Sequence, residues 1–255
     1  MNKCLAADFF RILKQKRFYI YQVLIFVITI FTMYGYSSII EHYMNFSDPA
    51  AVFGEVFQMP VFVITTLAAF FEIPLVYADD FHSNVMQMAV GRGIGRLKYM
   101  LAKETSLMIL AMLNALMIGL AGFVYSLLIQ TELNGLLFNI IVSRLIASLV
   151  RILAYLSLVQ FILYLSGSTS LAMFIFMLFC FRIENLAVMF TYMVDIPEGV
   201  RSMISSRLMS TQLEQFGNAL YAGRLYPDNI AFIVIWIVAF TVLGGLVLRR
   251  KELSF

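Results

Sequence analysis

An all-α polytopic membrane protein with six transmembrane helices is the fold class that this 255-residue sequence predicts. Three observations carry the prediction. Six apolar runs, at roughly 20–40, 56–78, 104–130, 140–166, 169–192 and 229–248, each approach or exceed the ~20 residues an α-helix needs to cross ~30 Å of hydrocarbon. Basic residues crowd into every second gap between those runs. Apolar residues make up 62% of the chain, well above the roughly half that is usual in soluble domains.

The basic residues also set the orientation. Lys3, Arg11, Lys14, Lys16 and Arg17 precede the first run, Arg92, Arg96, Lys98 and Lys103 lie around the second-to-third connection, and Arg249, Arg250 and Lys251 follow the last. On the opposite side only Arg201, Arg207 and Arg224 occur. Positive charge collects on the cytoplasmic face, so the sequence predicts both termini inside, in the cell membrane. No segment outside the runs could bury a soluble core, and residues 1–255 read as one transmembrane domain. The net charge of +3 follows from topology and argues for no nucleic-acid partner. Cys4 on the inner side and Cys180 inside a run are placed too far apart for a disulfide.

The elements follow in order. Residues 3–17 put Leu5, Phe9, Ile12 and Leu13 on one helical face flanked by Lys3, Arg11 and Lys14, which predicts an amphipathic helix on the inner leaflet rather than a cleaved signal. The first outer loop, 41–55, reads as a polar connection. The second run contains Pro60 and Pro74, where kinks are expected. Residues 131–139 form a short outer turn, and Ser166–Ser168 around Gly167 a shorter inner one. The fourth and fifth runs therefore make an antiparallel helical hairpin. In the outer segment 193–228, Asp195-Ile196-Pro197-Glu198 is a helix start, and Val200, Ile204 and Leu208 recur at intervals of four. This predicts helices at the outer leaflet before the last span.

The inner segment 79–103 is the most specific part of the chain. Asp79 and Asp80 suit the cap of a short helix whose apolar face is Phe81, Val85, Met88 and Ala89. Gly91, Gly93 and Gly95 form a tight turn, and Arg96, Lys98 and Lys103 lead into the third run. The glycine string is not a phosphate-binding pattern, because it lacks G-x-x-x-x-G-K-[ST] and no strand precedes it. The Asp79-Asp80 pair resembles the Mg²⁺-binding aspartates of a membrane transferase, but Ser83 stands where a third Asp is wanted. With two histidines, His42 and His82, a histidine metal site is not expected. No catalytic, cofactor-binding or metal-binding residues are assigned.

Charges inside the runs are the other candidates. Glu72 lies in the second, Arg144 and Arg151 share a face of the fourth, and Arg182 and Glu184 lie in the fifth. A lone charge at the bilayer centre costs about 2.5–3.5 kcal/mol on insertion scales, so these should face protein or water. Two readings stand: a substrate path, or an ion pair of Glu184 with Arg151 or Arg144 that fixes the packing of neighbouring spans.

The layout resembles the permease subunits of type-2 ATP-binding-cassette (ABC) exporters over essentially the whole chain. The resemblance rests on the basic N-terminal helix, six spans, the short helix between the second and third, and the outer helices before the sixth. Locally it rests on the acidic start at Asp80, Gly95-Arg96, Lys103, and the charged ending Arg249-Arg250-Lys251-Glu252-Leu253. It implies that residues 79–103 hold a coupling helix, with Asp80, Phe81, Val85, Met88 and Arg96 docking a cytoplasmic ATPase subunit. It implies a second permease chain, the same or different, and ATP bound by the partner rather than by this chain, so that no cofactor is expected here. Its 24 Phe and 16 Met suit a hydrophobic or amphipathic substrate, such as a peptide or lipid-like molecule, as well as contact with membrane lipids. The competing expectations are an immunity or sensor subunit without transport of its own, and a membrane-embedded metal-dependent transferase.

Overall fold

A computed structural model describes residues 2–43, 49–82, 85–91, 93–129, 135–194 and 196–250. Among them every regular element is an α-helix. In chain order these are α1 (Asn2–Leu13), α2 (Lys16–Tyr43), α3 (Pro49–His82), α4 (Val85–Gly91), α5 (Arg96–Leu128), α6 (Gly135–Ser166), α7 (Thr169–Cys180), α8 (Asn185–Met193), α9 (Glu198–Arg207), α10 (Met209–Tyr221) and α11 (Pro227–Arg250). Five of them, α2, α3, α5, α6 and α11, are long and apolar enough to cross a membrane. The chain is thus built as a multi-pass, all-helical membrane protein.

Several boundaries differ from the sequence expectation. The loops expected at 41–55 and 131–139 are shorter, because helix α3 already starts at Pro49 and α6 at Gly135; residues 44–48 and 130–134 lie outside the described residues. Both Pro60 and Pro74 sit within α3, which continues past each of them. The largest difference is in the fifth run. A continuous helix over 169–192 is expected, yet α7 and α8 hold 12 and 9 residues and are separated by a turn at Phe181–Glu184. Twelve residues rise only about 18 Å, short of the hydrocarbon thickness.

The turn has a local cause. The amide of Arg182 donates to Phe179 O (3.0 Å) and that of Ile183 to Leu178 O (2.9 Å), the two closing bonds of a Schellman motif. Arg182 occupies the left-handed position at φ 60°, where glycine is usual. The turn after α4 closes the same way, with Gly93 at φ 86°, so the glycine string 91–95 forms the stop that its composition predicts. A further prediction concerns the break. Arg182→Gly should be close to neutral in thermal unfolding, since relief of the left-handed strain offsets both glycine's extra freedom and a half-exposed ion pair worth about 0–1 kcal/mol. Arg182→Val should lower the midpoint clearly, because a β-branched residue resists positive φ.

Contacts divide the chain into two compact units: residues 1–76 with 105–152, and residues 77–104 with 153–255. In unit 1 one core cluster joins four helices. Ile25, Met33 and Ile40 of α2 form a stripe at seven- and eight-residue intervals, and Phe53, Phe57, Val61, Ile64 and Ala68 of α3 one at three- and four-residue intervals. They pack with Ile118 and Tyr125 of α5 and with Leu137, Ile140 and Ile141 of α6. Phe53 and Phe57 stack at 5.6 Å with 13° between their planes. The N-terminal helix α1 is present, ending in a two-residue break before α2. Ile12 is its buried anchor, and Arg11 Nη2 donates to Leu75 O at 2.9 Å.

In unit 2 the α6–α7 turn forms at Gly167, φ 70°, with the Ser168 hydroxyl accepting from Leu171 N to cap α7. Tyr155 and Phe179, each twelve residues from Gly167, meet with ring centroids 6.2 Å apart, as an antiparallel hairpin requires. The segment between α8 and α11 is helical, as expected, but the stripe that packs is a different one. Helix α9, which carries Val200 and Ile204, has no buried residue, and Leu208 is the hinge between helices. Helix α10 packs instead, through Met209, Leu213, Phe216 and Ala219, and Asn229 of α11 donates to Gln212 Oε1 at 2.6 Å.

Candidate functional site

The segment joining α3 to α5 is held by polar contacts that the sequence pattern only half reveals. Ala69, Ile73, Val76, Tyr77 and Asp80 are all buried, and their three- and four-residue spacing puts Asp80 at the end of the inner stripe of α3. Asp80 therefore neither caps the short helix nor lies on an exposed docking face, contrary to expectation. Helix α3 runs on to His82, and the Asp80 carboxylate is paired with Lys103 Nζ at 3.1 Å, the two side chains being 1% and 3% exposed.

Around this pair lies a buried polar network contributed by α3, α5, α6 and α11. Gln160 Nε2 donates to Tyr77 Oη (2.9 Å) and to Met100 O (3.1 Å). Tyr77 meets Tyr164 edge to face at 6.2 Å, and Lys103 lies over the Tyr99 ring at 5.4 Å. Thr241 donates its hydroxyl to Glu104 at 3.1 Å. Arg96, expected on the docking surface, instead reaches back to the end of α11: its Nη1 donates to Leu248 O (3.1 Å) and Arg249 O (2.7 Å), carbonyls that a helix C-terminus leaves unsatisfied.

Helix α4 lies in the chain between Asp80 and Arg96. It is apolar at every position except Gln87 and Gly91. Met86 is buried and anchors one side, an anchor the sequence pattern missed, while Met88 is 53% exposed on the other. The side chains of Phe81 and Val85 lie outside the described residues.

The charges inside the runs separate into two groups. In unit 1, Glu72 is buried and accepts from Asn114 Nδ2, and Asn114 Oδ1 in turn accepts from Gln22 Nε2 at 2.8 Å. Arg144 and Arg151 are both half-buried on α6. The Arg151 guanidinium lies 3.8 Å from the Phe62 ring centre and donates to Phe62 O at 3.2 Å. In unit 2, the Glu184 carboxylate has partners that the sequence did not suggest. It accepts from Ser210 N (3.1 Å) and from Tyr155 Oη (3.3 Å). The turn at 181–184 is the reason: it ends α7 before Glu184, placing that carboxylate at the start of α10, where free amides need an acceptor. Arg182 pairs with Glu214 at 3.0 Å.

Beside that turn, Asn185, Val188, Met189 and Tyr192 of α8 face Ser205 and Thr211 across an open cavity of about 440 Å³. Its lining is mixed, with the Arg182 guanidinium, the Asn185 amide and the hydroxyls of Tyr192, Ser205 and Thr211 beside Val188 and Met189. No protein-family model matches this chain, and neither does any curated protein sequence.

Proposed function

We propose that this chain is the membrane-spanning permease subunit of a type-2 ABC exporter, moving a hydrophobic or amphipathic substrate such as a peptide or lipid-like molecule outward. In this reading α7 and α8 together make the sixth crossing, both termini are cytoplasmic in the cell membrane, and a second permease chain completes the pathway. Separate ATPase subunits dock on α4 and supply the energy. The observation that carries the reading is the short apolar helix α4, exposed at Met88 and set in the chain between α3 and α5, which the buried Asp80–Lys103 pair joins. A push on α4 would reach α3 and α5 together, because the buried ion pair between those two helices resists being pulled apart. Closure of the ATPases on ATP would shift the spans between two packed arrangements through their differential affinity for each.

The test is capture of the ATPase. An exposed apolar side chain on a cytoplasmic helix gains by burial in a partner's groove, and a charge there opposes docking. A soluble ATPase should co-purify with the chain in mild detergent, and Met88→Glu should abolish its recovery while leaving yield and thermal stability unchanged. Lys98→Glu, on an exposed side chain outside α4, serves as the control and should retain the ATPase. Recovery of the ATPase with Met88→Glu at wild-type levels would remove α4 as the docking element. Absence of any ATPase from the wild-type preparation would remove the exporter reading.

A further inference from the structure

Unit 1 holds a buried carboxyl group that no cation neutralises among the described residues. Glu72 is 1% exposed and lies on the inner stripe of α3. The chain Gln22 Nε2 to Asn114 Oδ1, then Asn114 Nδ2 to Glu72 Oε1, points every donor toward the carboxyl group. Two acceptors remain at its ends. Glu72 Oε2 and Gln22 Oε1 are both buried and have no hydrogen-bond partner among the described residues.

The surrounding titratable groups do not supply the missing charge. From α2, Tyr21 packs edge-on against Phe71 at 6.5 Å and stands within electrostatic reach of Glu72. From α1, Arg11 is engaged by Leu75 O and Val76 O, about one turn further along α3, and lies 4.0 Å from Asp8. From α5 the facing group is the neutral Asn114. A carboxylate stripped of water and given one neutral donor is strongly disfavoured. A proton removes the charge and turns Oε2 from an orphaned acceptor into a donor. A metal ion would call for more oxygen ligands than the two acceptors left over here.

We propose that Glu72 is a proton-binding site, its carboxyl group held protonated on Oε2 by the packing of α2 and α5 against α3. Separation of α2 from Glu72 admits water and releases the proton, so occupancy follows the packing of these three helices. The proposal stands on the geometry of unit 1 and does not depend on the exporter reading.

Infrared spectroscopy of the chain in lipid nanodiscs, with ¹³C-labelled glutamate, tests it directly. At neutral pH the wild type should show the carbonyl stretch of a protonated glutamic acid, shifted by deuteration, and Glu72→Gln should lose that band. The same band must survive in Glu104→Gln, which removes the partly buried glutamate that Thr241 contacts. Glu72→Gln should also keep the wild-type unfolding midpoint, since its amide keeps one acceptor and adds a donor, whereas Glu72→Ala should lower it. A wild-type spectrum with only ionised glutamate would overturn the proposal. So would Glu72→Gln unfolding as readily as Glu72→Ala, or failing to fold. An ionised band accompanied by a midpoint raised by Na⁺ or K⁺ would make Glu72 a cation ligand, and overturn the proton assignment.

Discussion

Lys103→Met should destabilise the protein by about 3–5 kcal/mol, the typical cost of breaking a buried ion pair by removing one partner. The Lys103 and Asp80 side chains are 3% and 1% exposed, so neither can recover water when the other is lost. Met fills much of the volume of the lysine stem, so most of the loss comes from the stranded Asp80 carboxylate. Asp80→Leu alone should be similarly damaging, because it strands the ammonium. The double change Lys103→Met with Asp80→Leu should recover most of the loss, since apolar groups of similar volume often replace a buried pair without penalty. Reversible unfolding in detergent of the four proteins closes the cycle. Additive losses would show that the two side chains act separately and that α3 and α5 are not joined through this pair.

A single added methyl group should be nearly as disruptive at Gly122. A Cβ built there would run into the Phe57 ring at Cε2 and lie 3.0 Å from its Cδ2, closer than real contacts allow. The ring cannot simply swing aside, being fully buried and stacked on Phe53. Helices in lipid associate by close packing more than by exclusion of water, and small residues at the contact let them approach. Gly122→Ala should therefore cost about 1–3 kcal/mol through overpacking, with Gly122→Leu worse. Phe57→Leu, which shortens the obstructing side chain, should restore much of the stability of Gly122→Ala although it is destabilising alone. Thermal unfolding of the single and double variants decides this. Equal loss in both backgrounds would place the strain elsewhere.

Much of the architecture was legible because it depends on neighbours along the chain. Apolar runs of sufficient length marked α2, α3, α5, α6 and α11. The amphipathic stripe with Ile12 marked α1, and glycine at 93 and 167 marked the turns. The short helix before the third span was visible for the same reason, bounded by glycine at its end. Each of these is a matter of local periodicity or of a backbone conformation that one residue type favours.

The candidate sites were legible as residues but not as pairs. Asp80, Lys103, Glu72 and Glu184 all drew attention as charges, yet their partners come from elsewhere in the chain: Lys103 for Asp80, Asn114 for Glu72, and Tyr155 and Ser210 for Glu184. In a soluble helix the boundary between apolar and polar faces would reveal which side turns inward. Here lipid-facing and core-facing positions are both apolar, so rotation about each helix axis leaves little trace in composition. One faint signal existed in α5, where Tyr99, Lys103, Ser106, Leu110, Asn114, Ile118 and Tyr125 lie on one buried stripe. Polar residues there mark the side turned away from lipid.

By itself, then, the sequence determined the class of the fold, the approximate extent of its five long apolar helices, and the positions of its glycine-made turns. Only the tertiary structure decided that the fifth segment breaks at Arg182, that α10 rather than α9 packs, and which distant group meets each buried charge. The physical reason is one of range. Helix formation and turn geometry are settled within about one turn of chain, whereas the partner of a buried charge depends on how whole helices are rotated and set against one another.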